Sequence, residues 1–255
     1  MERGCTKLVS SSGGNAGLAT AFCGNVLGVD TTVCLPETAT PLVKRKIEAL
    51  GAKVIVHGSQ WVETNSYAEG LVAEAAGKAA LMHPFDLPDI WEGNTTLIEE
   101  IADQLPVGVK PSIIFASVGG GGLLMGLLLG LKAKSGWREA VQVVACETVG
   151  ANALAASLEK KERVELEAIT SVAKTLGADK IGEEILRECM SGDYMLDPFV
   201  VTDAEAVGSC LKFALDHNVS FPSFQHSRYR IPRLSSHATP TEATDARNPP
   251  RPRRF

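Results

Sequence analysis

Residues 111–131 carry no charged side chain, yet Gly119, Gly120, Gly121 and Gly122 stand in the middle of the run. A stretch of this length is enough to cross a bilayer as one helix. Each glycine, however, costs a helix interior about 1 kcal/mol relative to alanine, so the run reads as an apolar strand over 112–117, a glycine turn and an apolar helix over 123–131. A strand covered on both faces and followed at once by a helix is the unit from which parallel sheets are built.

The same alternation recurs along the chain. Short apolar runs over 7–11, 31–35, 53–56, 79–82, 142–146 and 199–202 are separated by helix-length segments, which predicts an α/β fold with parallel strands and crossover helices. Two helix starts are chemically marked. Thr40 precedes Pro41, a cap followed by a residue pre-set for the first turn, and Thr202 with Glu205 has capping-box spacing. The helix after Thr202 carries Val207, Leu211, Ala214 and Leu215 on one stripe, a spacing that predicts a core-facing element.

With 255 residues, 45% of them hydrophobic and 22% charged, the chain can bury one large or two smaller domains. A net charge of −5 argues against nucleic acid as a partner, since phosphate contacts need clustered Lys and Arg. Small molecules are the expected partners, with no membrane. The six cysteines, at 5, 23, 34, 146, 189 and 210, form no CxxC pair and read as reduced, mostly buried thiols. The histidines, at 57, 83, 217, 226 and 237, have no ligand-like spacing. No basic-then-apolar leader opens the sequence, so the expected location is cytoplasmic. Composition breaks after residue 219: residues 220–255 take seven of the 25 basic and two of the 30 acidic residues, leaving the rest at −10. This Arg/Pro-rich segment has no helical or strand period and is expected to be a disordered tail.

Two loops carry candidate chemistry. Ser10-Ser11-Ser12-Gly13-Gly14-Asn15-Ala16-Gly17 follows a strand and opens a helix whose apolar positions include Leu18, Phe22 and Val26. It presents backbone N–H groups, hydroxyls and an amide at a helix N-terminus, where a carboxylate or phosphate is favoured. An ordinary Ser/Gly/Asn turn explains the same residues equally well. The second loop, Gly119 to Gly122, lets the backbone approach an anion closely, and successive N–H groups can form a nest. A flexible linker is the alternative, but a linker between two buried elements of one sheet is a poor place to discard side chains. The pattern is neither a Walker loop nor GxGxxG.

Taken with what lies between them, these loops resemble the catabolic L-serine dehydratase/L-threonine deaminase branch of the fold-type-II (tryptophan-synthase-β-like) pyridoxal-phosphate enzymes. The resemblance runs from about Gly4 to Val219 and rests on the Ser-Ser-Gly-Gly-Asn-Ala-Gly loop, His83-Pro84-Phe85-Asp86 with Trp91-Glu92-Gly93, the tetraglycine loop, Cys146-Glu147-Thr148 with Gly150-Ala151, and the segment from Ile169 to Gly177. It implies a smaller α/β domain over 1–88, part of a larger one over 89–219, and pyridoxal 5'-phosphate as cofactor. Ser12, Gly13 and Asn15 would bind the carboxylate of an amino-acid substrate. Asn15 would also contact the cofactor's phenolic oxygen, Gly119, Gly120, Gly121 and Gly122 would cradle its phosphate, and Phe85 would wall the site. A monovalent cation such as potassium would sit at Glu147 with carbonyls of Ala151, Leu176 and Ala178. The intact family is expected to form homodimers. Sister chemistries on this fold, serine racemisation among them, are disfavoured by the Trp91-Glu92-Gly93 and Ser171-Val172-Ala173-Lys174 signatures.

Two elements of the family pattern have no match here: the Schiff-base lysine motif, and the C-terminal part with its Glu-Pro-Ala-x-Gly helix start and Gly-Gly turn. The lysine that anchors the cofactor as a Schiff base belongs to a motif upstream of the Ser-Gly-Asn loop and would lie before Met1. Only Lys7 precedes Ser12. The expectation is a domain pair incomplete at both ends and inactive alone, with a non-catalytic binding module as the alternative function.

Overall fold

A computed structural model describes residues 4–218; the expected tail at 220–255 lies outside them. Seven strands, β1 Lys7–Ser10, β2 Asp30–Leu35, β3 Lys53–Val56, β4 Ala79–Leu81, β5 Ile113–Ser117, β6 Gln142–Thr148 and β7 Leu196–Val201, alternate with helices α1 Asn15–Leu27, α2 Pro41–Ala49, α3 Trp61–Glu74, α4 Pro88–Gln104, α5 Gly122–Ala133, α6 Ala153–Lys160, α7 Glu183–Cys189 and α8 Asp203–His217. They form two parallel sheets, ordered β3-β2-β1-β4 and β5-β6-β7. Among the described residues no helix is long and apolar enough to cross a membrane.

Both marked helix starts form as the sequence predicts. Thr40 Oγ1 accepts from the Val43 N–H at 3.4 Å, with Pro41 in the first turn of α2. Thr202 Oγ1 accepts from the Glu205 N–H, and Glu205 Oε2 accepts from the Thr202 N–H, at 3.3 and 2.8 Å. The largest difference in a strand start is at β7, which begins at Leu196 rather than 199 and includes Pro198. Among the described residues it pairs only with β6, at the edge of that sheet, where a residue without an N–H is tolerated.

In the first sheet, Val33 and Leu35 of β2 are wholly buried together with Ile47 of α2. Helix α1 approaches this sheet through its small residues. Gly17, Thr20, Ala21 and Gly24 are buried, and a Cβ on Gly24 would overlap the Thr31 side chain. The apolar stripe expected on this helix is therefore not its buried face: Leu18 is half-buried, while Phe22 and Val26 are 57% and 67% exposed.

The second sheet owes its core to the contact between α4 and α5. Gly122, Gly126 and Gly130 recur every fourth residue along α5 and face α4: a Cβ on Gly126 would collide with Asn94, and one on Gly130 would come within 2.8 Å of Ile98 Cγ1. The helices thus lie close enough to bury Leu124, Leu127, Leu128 and Leu131 completely, against Ile98 and Val143. That close crossing explains why α5 is apolar all round without being a membrane span.

Helix α8 does not bury its stripe. None of its residues is buried; Val207 and Ala214 are half-buried, and Leu211 and Leu215 are exposed. Spacing shows that a face is apolar, but nothing within 4–218 covers it. Phe115 of β5 and Phe199 of β7, which share a sheet face by register with Val144 and Cys146, are exposed in the same way. The cysteines also differ from expectation: all six are free, but only Cys34 is buried, and Cys23 is exposed.

Candidate active site

The first loop is anchored from three sides. At the end of β1 the Ser10 hydroxyl donates to the Met82 carbonyl, 3.0 Å, and the Met82 N–H donates to the Val9 carbonyl, 2.6 Å. The buried Ser11 hydroxyl donates to Asn65 Oδ1 of α3 at 2.6 Å, and Asn65 Nδ2 donates in turn to Glu69 Oε1 at 2.7 Å. Ser12 Oγ accepts from the Gly14 N–H at 3.2 Å. Asn15 is the first residue of α1 and is exposed, and Gly13 is half-buried. No side chain caps this helix end and no acid lies in its first turn, so the positive end of the helix dipole meets the loop uncompensated.

The second loop closes on α5 in the same manner. Gly121 caps the helix with φ +96°, a backbone state that strains any residue with a Cβ, and again there is neither a side-chain cap nor a first-turn acid. The carbonyls of Gly122 and Gly120 are held by Asn94 Nδ2 at 3.2 Å and by the Gly182 N–H at 3.4 Å. An uncapped helix N-terminus reached through residues without side chains is the donor set a phosphate monoester takes. The residues therefore fit the phosphate of the implied cofactor.

The segment from β4 to α4 joins the two loops. Met82 is bonded to β1, and three residues on, Phe85 lies on the glycine turn: a Cβ on Gly120 would fall within its ring, and one on Gly122 would be 2.6 Å from its carbonyl oxygen. Trp91 Nε1–H donates to the Phe85 carbonyl at 2.7 Å. Ser12, Gly13 and Asn15 thus lie at the C-terminal end of β1, the tetraglycine turn at that of β5, and residues 82–85 connect them. Ligands of parallel α/β sheets bind at those strand ends. Lys7 is at the other end of β1, 3.9 Å from Asp30, roughly 10 Å from Ser10 at about 3.3 Å per strand residue.

Glu147, at the end of β6, is 2% exposed. Its Oε1 and Oε2 accept from the N–H groups of Leu154 and Ala155 at 2.9 and 2.8 Å, the start of α6. Burial pushes its carboxyl above the usual range, and the two N–H groups oppose that. None of the ion pairs among the described residues involves it. A buried carboxylate without a cationic partner fits a bound cation, so the donor chemistry is compatible with the implied site. Of the carbonyls expected beside it, that of Leu176 accepts from the Ala178 N–H at 2.9 Å and approaches the Cα side of Gly119, while Ala151 bridges back to Thr148.

Several supporting contacts escape the sequence reading. Ser171, 1% exposed, joins Thr148 Oγ1 at 2.7 Å and donates to Asp203 Oδ1 at 2.7 Å, while Asp203 Oδ2 accepts from the Val172 N–H at 3.0 Å. This network pins the 170–176 loop between β6 and the start of α8. Asn65 and Asp203 offer no local pattern that could have found them, because their partners are 54 and 32 residues away.

Two uncapped helix starts at the C-terminal ends of parallel strands, joined through residues 82–85, are the arrangement that an α/β protein for a phosphate-bearing cofactor requires. The chain belongs to the pyridoxal-phosphate dependent enzyme family, whose model matches residues 2–221. It is 40% identical over 215 residues to the L-serine dehydratase of Dictyostelium discoideum, covering 83% of this chain and 60% of that one. It is 38% identical to the L-serine dehydratase/L-threonine deaminase of Mus musculus, with 86% and 64% covered. A fungal L-serine ammonia-lyase from Rhizomucor miehei superposes with a TM-score of 0.76 at 30% identity, covering 88% of this chain and 69% of that structure. The fold is thus the fold-type-II arrangement expected. The chain spans 60% of the length of the first of these relatives.

Proposed function

We propose that this chain carries the cofactor-phosphate and substrate-carboxylate loops of a pyridoxal-phosphate-dependent L-serine/L-threonine dehydratase. The reaction converts L-serine to pyruvate and ammonia, or L-threonine to 2-oxobutanoate and ammonia. The observation that carries the reading is the bridge from Ser10 through Met82 and Phe85 to Gly120, which links the segments leading into two uncapped helix ends and so supports a shared site.

Bound pyridoxal phosphate would supply an electron sink for the negative charge left at the substrate Cα. The N–H groups of Gly119 to Gly122 hold the phosphate. Ser12, Gly13 and Asn15 take the substrate carboxylate at the start of α1, and Asn15 also reaches the phenolic oxygen. Phe85 walls the site and keeps water from it. A potassium-type cation at Glu147 compensates its buried charge and steadies the strand end beside the glycine turn. The two sheets support a division near residue 88, and a cytoplasmic homodimer is the assembly proposed for the whole protein.

A second reading is a binding module without turnover. It is favoured by Lys7, which pairs with Asp30 at the far end of β1 and so offers neither an anchor nor a base at the loops. Pyruvate release together with equilibrium binding of pyridoxal phosphate tests both. Absence of binding to the 255-residue chain, with the fold intact by circular dichroism, would reject both readings.

A further inference from the structure

We propose that His83 is a positioning residue: its neutral imidazole holds the turn that lays Phe85 on the tetraglycine loop, so the site is assembled only while His83 is uncharged. His83 Nδ1 accepts two backbone hydrogen bonds, from the Asp86 N–H at 2.8 Å and the Phe85 N–H at 3.2 Å. A ring nitrogen that accepts cannot carry a proton, so the imidazole is the Nε2–H tautomer. Protonation would turn this acceptor into a third donor facing two others, and both bonds would be lost.

What those bonds hold is the strut between the two loops. The His83 and Phe85 rings meet edge to face at 4.8 Å, and Trp61 of α3 meets His83 at 5.9 Å from another side. Beyond the turn, Phe85 gives its ring to Gly120 and its carbonyl to Trp91, and Asp86 Oδ1 lies within 2.5 Å of where a Cβ on Gly182 would be. Releasing Phe85 and Asp86 would therefore loosen contacts with Gly120, Gly122 and Gly182 together.

The charged groups facing His83 are Asp86, on the turn itself, and Glu69, on α3. Both favour the imidazolium, but burial disfavours it more strongly and holds the histidine below its ordinary value of 6.5. Between that lowered value and 6.5 the unfolded chain binds more protons than the folded one, so stability falls as pH falls through this window. At neutral pH the turn is made; mild acid releases it.

The consequence for the cofactor rests on the phosphate reading of the glycine loop, whereas the turn itself does not, and the test separates them. Backbone exchange of the Phe85 and Asp86 amides, corrected for intrinsic rates, is followed from pH 7.5 to 5 in the full chain without cofactor. The expected result is acceleration of at least about tenfold in wild type as the two bonds are lost. His83→Asn keeps an acceptor close to the Nδ1 position without a titrating group, so its amides should stay protected throughout; in His83→Ala they should be fast at every pH. Pyridoxal phosphate binding to wild type should weaken more steeply with acid than binding to His83→Asn, which carries the phosphate's own titration as the control. Equal pH responses of wild type and His83→Asn in amide exchange would overturn the proposal, as would protected amides in His83→Ala. If the exchange pattern holds but no variant binds pyridoxal phosphate, the histidine pin stands and the cofactor reading falls.

Discussion

The ring of Phe85 occupies the place that a Cβ on Gly120 would take. An aromatic side chain on the β4–α4 connection therefore depends on the absence of a side chain 35 residues later, and neither position can change alone. Gly120→Ala should push the ring off the turn, an overpacking that typically costs about 1–3 kcal/mol. Affinity for pyridoxal phosphate should fall at least tenfold, while Gly208→Ala, an exposed helical position with nothing within 4 Å of its Cβ, should leave binding unchanged. Fluorescence titration of both variants checks this.

The α4–α5 crossing makes a prediction about stability and, through Asn94, about cofactor affinity. Gly126→Val must displace Asn94, whose backbone carbon would lie 2.9 Å from the new Cβ, and the helices would have to separate. A loss of about 2–3 kcal/mol is expected, seen as a fall of roughly 2–4 °C in Tm per kcal/mol for a domain of this size. Asn94 also holds the Gly122 carbonyl, so cofactor affinity should weaken in step.

Those two positions show what was legible in the sequence. The strands could be read because four- to six-residue apolar runs between helical spacings admit little else, and four glycines in an apolar run demanded a turn. What could not be read was which side of a helix meets the sheet. Helix α1 buries Gly17, Ala21 and Gly24 and exposes Phe22, because closeness of approach outweighed hydrophobicity. Nor could periodicity show that the stripe on α8 has no cover within residues 4–218. At the site, the glycine and Ser-Gly-Asn loops were visible as local patterns. The hydrogen bonds behind them, accepted by Asn65 from Ser11 and by His83 from the Phe85 and Asp86 N–H groups, were not, since each depends on a neighbour brought by the fold or on a turn geometry with no residue signature.

The buried junction at Ser171 should behave as a hub. Ser171→Ala removes the hydroxyl that meets Thr148 and Asp203 and accepts from the Ala173 N–H. Leaving such partners unsatisfied costs about 1–3 kcal/mol. The amides of Val172 and Ala173 should lose protection first, and hydrogen exchange read residue by residue would show it. Asp203→Asn, which keeps one acceptor oxygen, should have the smaller effect.

Glu147 gives opposite signs for its two roles. Because burial holds its folded carboxyl above the ordinary value of 4.5, its contribution to stability is fully present below 4.5 and declines as pH rises through the raised folded value. A bound cation would reverse that decline by favouring the charged form. Potassium chloride should therefore raise the Tm at pH 7.5 more than an equal concentration of tetramethylammonium chloride, and the difference should vanish at pH 4.5 and in Glu147→Gln. A potassium effect that persists in Glu147→Gln would place the cation elsewhere.

The final prediction concerns turnover by the 255-residue chain. A dehydratase needs a base at the substrate Cα, and a positioned base typically contributes about 10²–10⁴-fold. The one lysine ahead of the Ser-Gly-Asn loop, Lys7, is drawn to Asp30 at the N-terminal end of β1, the end of that strand opposite to Ser12. Lys174 is likewise engaged, its Nζ donating to the Ile169 carbonyl at 2.6 Å. Binding of pyridoxal phosphate without pyruvate release from L-serine is therefore the expected behaviour. Extending the chain with a family N-terminal segment that bears the Schiff-base lysine, and with the C-terminal strands that the resemblance implies, should bring release above background. Release from the unextended chain that is abolished by Lys7→Arg would show that β1 rearranges to bring this lysine to the loops, and the placement argued from Asp30 would be wrong. Failure of the extended chain to turn over, with cofactor bound, would place the defect in residues 4–218 and remove the main support for the dehydratase reading.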